Sequence, residues 1–235
     1  MQNKILIIIV IAILFILFSC SAKQTIDIAE NGDISCSLNI KITELLASYI
    51  DDLSDAVGVS KDSYYDINQI RNSFASYNNV TLQAVSTPTK YDLNLRFTIK
   101  NSAKGIAEAT DGILTLSESN GNKKMTFLFD LDKYRIIAEK FLIEENPILS
   151  RLAPYPDDPF TEEEYLDTVD YVFSEYSKDA LSIIKNCSVD IEINVKGRII
   201  SAKGGRISGS KATFSIPVVK FLTLYEPISL EIEYR

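Results

Sequence analysis

The cysteines are the residues of this sequence whose chemistry is easiest to specify, and there are three of them in 235 residues. Cys36 and Cys187 each stand in a run of alternating apolar residues, which predicts that both side chains point into a core. In an exported protein two such residues could form a disulfide. The bond requires Cα atoms within about 7 Å of each other. Two separate buried thiols that pack as small apolar side chains are the open alternative.

The third cysteine, Cys20, directly follows an apolar leader. The run Ile5–Phe18 contains no polar side chain and, as a helix, spans about 21 Å, which is short of the ~30 Å hydrocarbon core of a membrane. A positively charged start followed by such a run is typical of an export signal. An uncleaved membrane anchor and a plain secretory leader are the alternatives.

The four residues Leu17-Phe18-Ser19-Cys20 resemble the lipobox of bacterial lipoprotein precursors. Leu17 and Ser19 match it, whereas Phe18 departs from the usual small residue, as in the looser boxes of spirochaete-like lipoproteins. The resemblance implies a signal peptide over residues 1–19, a diacylglyceryl group on the sulfur of Cys20, and a further acyl chain, such as palmitate, on its new amino group. Two or three acyl chains hold a protein durably at a membrane.

Several classes of function find no support in the composition. The chain contains no histidine, so it lacks the commonest general base and metal ligand, and its net charge of −8 disfavours nucleic acid as a partner. The acidic run Asp157–Glu164 is better explained as the start of a helix than as a metal site. Lys203–Arg206 is better explained as a turn than as a phosphate loop. We therefore expect no enzyme, no catalytic residue, no metal and no cofactor; a hydrolase that uses paired carboxylates is the remaining catalytic alternative.

Two aromatic residues stand in a loop bounded by prolines. Tyr155 and Phe160 flank Pro156 and Pro159, and the burial of side chains in such a loop is not assured. Exposed rings at this position would suit contact with a partner. Anchoring of the loop to the core is the alternative.

The periodicity of apolar residues predicts the fold class. Alternation predicts hairpins over 26–42 and 114–129, further strands over 80–99, and strands from Cys187 to the end of the chain. Helical spacing follows Thr43 and recurs from Thr161 to Leu181, where Thr161 and Glu164 form a capping box. We expect one α+β domain over 20–235, with an antiparallel sheet, helices on one face, and a mainly helical segment over 132–186.

The start of this domain also resembles LppM-type bacterial lipoproteins. The resemblance rests on the cysteine, strand, Asn31-Gly32-Asp33 turn, second strand and helix of residues 20–57, and on the strands after Cys187. It implies an envelope domain that binds lipid. The sequence as a whole predicts a non-catalytic binding or structural module, anchored by Cys20 to the inner or outer membrane, with its domain in the periplasm or on the cell surface. Its ligand would be a lipid or another apolar molecule, or alternatively a protein partner in the envelope.

Overall fold

The structure is a computed structural model that describes residues 21–56, 65–75, 79–100, 106–107, 110–141, 154–155 and 157–235. The leader, the lipobox and Cys20 lie outside these ranges, so the predictions of a signal peptide and of lipidation stay predictions. In the described ranges, no helix has both the length and the apolar character needed to cross a membrane.

Strands and helices occur in the order that the periodicity predicts, with one addition near the end of the chain. The strands are β1 (Ser21–Ile28), β2 (Ile34–Lys41), β3 (Val80–Ser86), β4 (Asp92–Ile99), β5 (Leu114–Ser119), β6 (Asn122–Phe129), β7 (Ser188–Val195), β8 (Ile199–Lys203), β9 (Arg206–Ser208), β10 (Lys211–Pro217) and β11 (Ile228–Tyr234). The helices are α1 (Glu44–Ala56), α2 (Ile67–Ala75), α3 (Leu131–Phe141), α4 (Glu162–Phe173), α5 (Ala180–Lys185) and α6 (Val218–Thr223). The prediction from periodicity did not include α6.

The strands form two sheets. A seven-stranded sheet, which we call sheet 1, has the order β3-β4-β2-β1-β7-β10-β9, and a four-stranded sheet 2 has the order β5-β6-β11-β8. All neighbours are antiparallel except β1 and β7, which run parallel with Ser21 opposite Ser188. The predicted α+β class is confirmed. The second sheet and the parallel pair are additions to the prediction, because strand periodicity does not specify which strands become neighbours.

Local sequence explains how the two predicted hairpins turn. Between β1 and β2, Gly32 has a φ of 82°, and the side chain of Asn31 accepts a hydrogen bond from the backbone N–H of Asp33 at 3.1 Å. Between β5 and β6, Asn120 and Gly121 both have positive φ, at 53° and 76°. Asn and Gly adopt this conformation at low cost, which is why the Asn-Gly pair fixes a tight hairpin here.

The capping box at the start of α4 is present as predicted. The backbone N–H of Glu164 donates to the Thr161 hydroxyl at 3.2 Å, and the Glu164 carboxylate accepts from the Thr161 backbone N–H at 2.9 Å. Hydrogen bonds from the Thr161 backbone and hydroxyl lower the pKa of Glu164. The sequence thus placed this helix start correctly.

The prediction of a continuous helical stripe from Thr161 to Leu181 is wrong, because α4 ends at Phe173 and α5 begins only at Ala180. Tyr176 lies in the break. Its ring meets that of Tyr49 edge-on at 5.9 Å, and its hydroxyl donates to Asp52 at 2.8 Å. These contacts with α1 favour a turn over the helix that local spacing predicts.

Sheet 2 and the helices cover the same face of sheet 1. Phe97 of β4 lines the space between the sheets, and its ring also packs edge-on against Phe74 of α2 at 5.3 Å. Phe221 of α6 packs against Phe129 of β6, with ring centroids 6.3 Å apart. The predicted placement of helices on one face is confirmed. The opposite face of sheet 1, which we call the outer face, carries the polar residues of each strand.

Candidate functional site

The structure excludes the possible disulfide between Cys36 and Cys187, because Cys36 is a free, buried thiol. Cys36 lies opposite Ile26 of β1, which in turn lies opposite Ile193 of β7. Cys187 precedes Ile193 by six residues, or about 20 Å along an extended strand. That separation far exceeds the reach of a disulfide. Cys187 is itself disulfide-bonded.

The free thiol has the properties of a core side chain. Burial, assisted by the negative charge of Asp27, raises the pKa of Cys36 to about 12. The thiolate is the reactive form of cysteine, so the thiol is a poor nucleophile at neutral pH. Cys36 thus gives no support to a catalytic role.

The first candidate binding site is the inter-sheet cleft, an apolar space between sheets 1 and 2. Its lining comprises Gln24, Ile26, Ile34, Cys36, Phe97, Ile99, Leu114, Met125, Phe127, Ile191, Ile193, Phe214, Leu230, Glu231 and Ile232. The free space measures about 70 Å³, roughly twice the ~30 Å³ share of one water molecule in the liquid. Sites for drug-sized ligands occupy about 300–1,000 Å³. In this conformation the cleft has no room for a lipid.

The second candidate is the outer face of sheet 1, where two polar grooves lie side by side. The β9 groove has about 610 Å³ of free space, and its lining comprises Lys23, Asp190, Ile191, Glu192, Gly204, Gly205, Arg206, Thr213, Phe214 and Ser215. The β4 groove has about 230 Å³, and its lining comprises Ala22, Lys23, Asn39, Ile40, Lys41, Pro88, Asp92, Asn94 and Asp190. Lys23 and Asp190 belong to both grooves.

The β9 groove has one wall made by the Gly204–Gly205 turn, which the sequence had indicated as a turn. A Cβ on Gly205 would lie 2.5 Å from the ring of Phe214 and 2.8 Å from the carbonyl oxygen of Thr213, so only glycine allows the turn to lie this close to β10. The neighbouring Glu192 accepts hydrogen bonds from Lys211 at 3.0 Å and from Asn194 at 3.2 Å. These bonds lower its pKa.

The β4 groove contains a carboxylate with one unsatisfied oxygen. The Thr89 hydroxyl donates to Oδ2 of Asp92 at 2.9 Å, whereas the buried Oδ1 has no hydrogen-bond partner among the described residues. Buried polar atoms are nearly always paired. Residue spacing gave no signal for this site, because its lining comes from β1, β2, β4 and β7, which are distant in the sequence.

The two aromatic residues predicted to contact a partner lie side by side. The rings of Tyr155 and Phe160 meet edge-on at 5.5 Å, and Tyr155 is 47% exposed. Burial, with smaller effects from Tyr49 and Tyr155, raises the pKa of the nearby Tyr165. The pair therefore lies near a partly buried tyrosine, and the ring of Tyr155 remains accessible.

The acidic run before α4 makes ion pairs rather than a ligand cluster. Asp157 lies 3.2 Å from Arg135, and Glu162 lies 3.9 Å from Lys220. A group of three or more potential metal ligands does not occur within the ranges that the structure describes.

Comparisons with known proteins add little to this geometry. No model of a known protein family matches the chain, and no curated protein matches it. Among solved structures, the chain is similar to the folded domain of the LppM protein of Mycobacterium tuberculosis, determined by NMR. The similarity has a TM-score of 0.38 and 11% sequence identity, and it covers 92% of this chain and 88% of that domain. So low a TM-score and identity transfer no property of that domain to this chain.

Proposed function

We propose that this protein is a non-catalytic module of the cell envelope, held at a membrane by acyl chains on Cys20, that acts through its surface. The observation that carries the proposal is the contrast in free space. The inter-sheet cleft has about 70 Å³, whereas the two grooves on the outer face have about 610 and 230 Å³. A module that carried a lipid inside would need several hundred cubic ångströms between its sheets.

The side chains near these grooves support binding rather than catalysis. Asp190 accepts hydrogen bonds from Ser188 and Ser215, and Glu192 is held by Lys211 and Asn194. A general acid needs a raised pKa, but that of Glu192 is lowered. These carboxylates therefore give no support to the alternative of a carboxylate-dependent hydrolase.

A protein partner in the envelope is the form of surface binding that the aromatic pair favours. Tyr155 presents an accessible ring, and the ring of Phe160 packs edge-on against it. Tyrosine is enriched in binding interfaces because it combines a large apolar area with a hydroxyl group. The anchor would place this domain in the periplasm or on the cell surface, beside the inner or outer membrane.

The anchor is tested by metabolic labelling with a fatty-acid analogue, with Cys20→Ala as the variant and Cys36→Ala as the matched control. We expect label on the wild type and on Cys36→Ala but not on Cys20→Ala. Equal labelling of all three proteins would refute the anchor.

Native mass spectrometry of the protein purified from its own membrane tests whether it acts through its surface. We expect the mass of the lipidated chain without a further stoichiometric lipid. A bound lipid in addition to the Cys20 modification would instead support the second candidate, binding of an apolar ligand between the sheets, which the apolar lining of the cleft favours. In that case the ligand should also slow alkylation of Cys36, which lines the cleft.

A further inference from the structure

Strand β10 has an open edge next to the β9 groove. On one side it pairs with β7 over its whole length, from Lys211 to Pro217, but on the other side it pairs with β9 only as far as Thr213. The chain leaves the line of β9 at the Gly204–Gly205 turn, where Gly204 has a φ of 83°. Among the described residues, no strand therefore lies beside the last part of β10, and the β9 groove opens there.

The backbone of Ser215 points toward this open edge. The N–H of Val195 donates to the carbonyl oxygen of Ser210 at 3.0 Å, which fixes the alternation of hydrogen bonds between β7 and β10. Because alternate residues of an antiparallel strand bond to opposite neighbours, Thr213 and Ser215 direct their N–H and C=O groups away from β7. Thr213 lies opposite Arg206 of β9, whereas Ser215 has no residue opposite it in the part of the chain that the structure describes.

The open edge is short, because both of its ends are closed. The turn at Gly205 closes one end. At the other end Pro217 has no N–H to offer, and α6 begins at Val218. A long segment that adds a strand to a sheet needs a run of free backbone N–H and C=O groups. The space beside Ser215 therefore fits the end of an extended chain rather than its middle.

The charges of the β9 groove select which end of a chain it accepts. Its two carboxylates, Asp190 and Glu192, already accept hydrogen bonds from neighbouring side chains. Its two cations, Lys23 and Arg206, form no ion pair within the described ranges. Lys23 lies opposite Asp190 in the register of β1 and β7, so Arg206 is the cation that adjoins the open edge. An exposed guanidinium group without a partner favours a carboxylate at this point.

We propose that the β9 groove binds the extended C-terminus of a protein partner; this names the kind of partner for the proposed surface function and rests on it. A chain antiparallel to β10 enters beside Pro217 and ends beside Gly205, where its terminal carboxylate pairs with the guanidinium group of Arg206. Its last residue lies opposite Ser215, donates its N–H to the Ser215 carbonyl and accepts from the Ser215 N–H. The backbone bonds hold an extended chain, and Arg206 requires that the chain end there.

The test uses the full chain purified from its own membrane, in maltoside micelles, with fluorescein-labelled hexapeptides of alternating threonine and valine, which favour an extended backbone. One peptide has a free C-terminal carboxylate and its control has a C-terminal amide. Fluorescence anisotropy should show at least about tenfold tighter binding of the acid than of the amide. Equal affinity of the two peptides, or binding of neither, would overturn the proposal. Displacement of the acid by N-acetylthreonine at the affinity of the peptide would show a site for small carboxylates and would overturn the protein partner.

A variant assigns the preference to the groove. Arg206→Gln should lower the affinity for the acid to that for the amide, because it removes the charge with which the carboxylate pairs. The matched control is Arg198→Gln, which replaces an exposed arginine that lines neither groove. Equal effects of the two substitutions would refute Arg206 as the partner of the carboxylate, and unchanged thermal unfolding of Arg206→Gln excludes misfolding as the cause.

Backbone methylation of the peptide tests strand addition with the wild-type protein. A methyl group on the nitrogen of the last residue removes the N–H that donates to Ser215 and should weaken binding about tenfold. The N–H of the preceding residue points away from β10, so its methylation should leave the affinity unchanged. Equal effects of the two methyl groups would refute the pairing with Ser215.

The outcomes separate the groove from the proposed function. Acyl groups on Cys20, no stoichiometric lipid and no preference for the acid would refute the groove and leave the surface module standing. A lipid between the sheets together with a preference for the acid would refute the proposed function and support the groove.

Discussion

The two faces of sheet 1 are built from the same strands, yet they differ in nearly every physical property. On β4 the residues that face sheet 2 and the helices, such as Leu95 and Phe97, are almost completely buried, while the intervening Asn94 and Arg96 lie on the outer face. The inner face encloses about 70 Å³ of free space, and the outer face carries two open grooves. The difference indicates that the inner face stabilises the fold and that the outer face is available for recognition.

The alternation of side chains along each strand also explains why residues on the outer face can be substituted with little loss of stability. Successive side chains of a strand point to opposite faces, so an outer residue is replaced without a change in the core. Hydroxyl, amide and charged side chains on this face pair locally, as in the hydrogen bond of Asn194 to Asp27 at 3.0 Å. Such pairs contribute little to stability. The comparison therefore predicts large effects of substitutions inside and small ones outside.

The largest effect is expected when adjacent residues of β4 are replaced one at a time. Phe97→Ala should lower the free energy of unfolding by about 3–5 kcal/mol, because Phe97 is buried and packs against Phe74. Arg96→Ala, its matched control, should change that free energy by less than about 0.5 kcal/mol. Urea unfolding followed by circular dichroism measures both. Similar losses in the two variants would contradict the division of roles between the faces.

The elements of this fold that local sequence determines could be predicted. The Asn31–Asp33 and Asn120–Gly121 turns, and the start of α4 at Thr161, follow from side chains within three residues of each other. Helix α6 could not be predicted in this way. Its residues Val218 and Val219 are β-branched, and both faces of the helix are buried, so no alternation of polar and apolar residues marks it.

The candidate site was less predictable than the fold because it depends on which strands are neighbours. Lys23 and Asp190 meet through the parallel pairing of β1 with β7, and Asp92 joins them through β2. Neither the spacing of residues nor the composition of the sequence indicates which strands pair. The same limitation left the pairing of Cys36 with Cys187 open: both residues are buried, as predicted, but only the strand register shows that they lie far apart along the strands.

A loss of stability of intermediate size is expected when the pH is raised, because a thiol on the inner face, that of Cys36, then ionises. Burial raises the pKa of Cys36 from 9.0 to about 12, so above pH 9 the thiol ionises in the unfolded chain before it ionises in the folded one. Stability that is fully present below pH 9 is therefore lost as the pH rises toward 12. The loss amounts to about 2–3 kcal/mol at pH 11.

The variant Cys36→Ala isolates this contribution, because all other titrating groups are common to the two proteins. We expect the wild type to lose stability relative to the variant between pH 9 and pH 11, as measured by urea unfolding at each pH. A constant difference between the two proteins over this range would show that the thiol is accessible to solvent, contrary to its placement in the cleft.

The smallest effect is expected from an ion pair on the outer face. Lys211 lies 3.0 Å from Glu192, and the two side chains are 44% and 27% exposed. Lys211→Gln should therefore lower the free energy of unfolding by at most about 0.5 kcal/mol at pH 7. The hydrogen bond from Lys211 is the largest cause of the lowered pKa of Glu192. The contribution of this bond to the free energy of unfolding is therefore present above pH 4.5, the ordinary pKa, and is lost as the pH falls through the lowered pKa of the folded protein.

Urea unfolding at pH 7 and at pH 3 should show the small difference between the two proteins only at pH 7, and 1 M salt should reduce it. A loss of several kcal/mol at pH 7 would mean that the outer face stabilises the fold as strongly as the inner one, and the comparison between the two faces would fail.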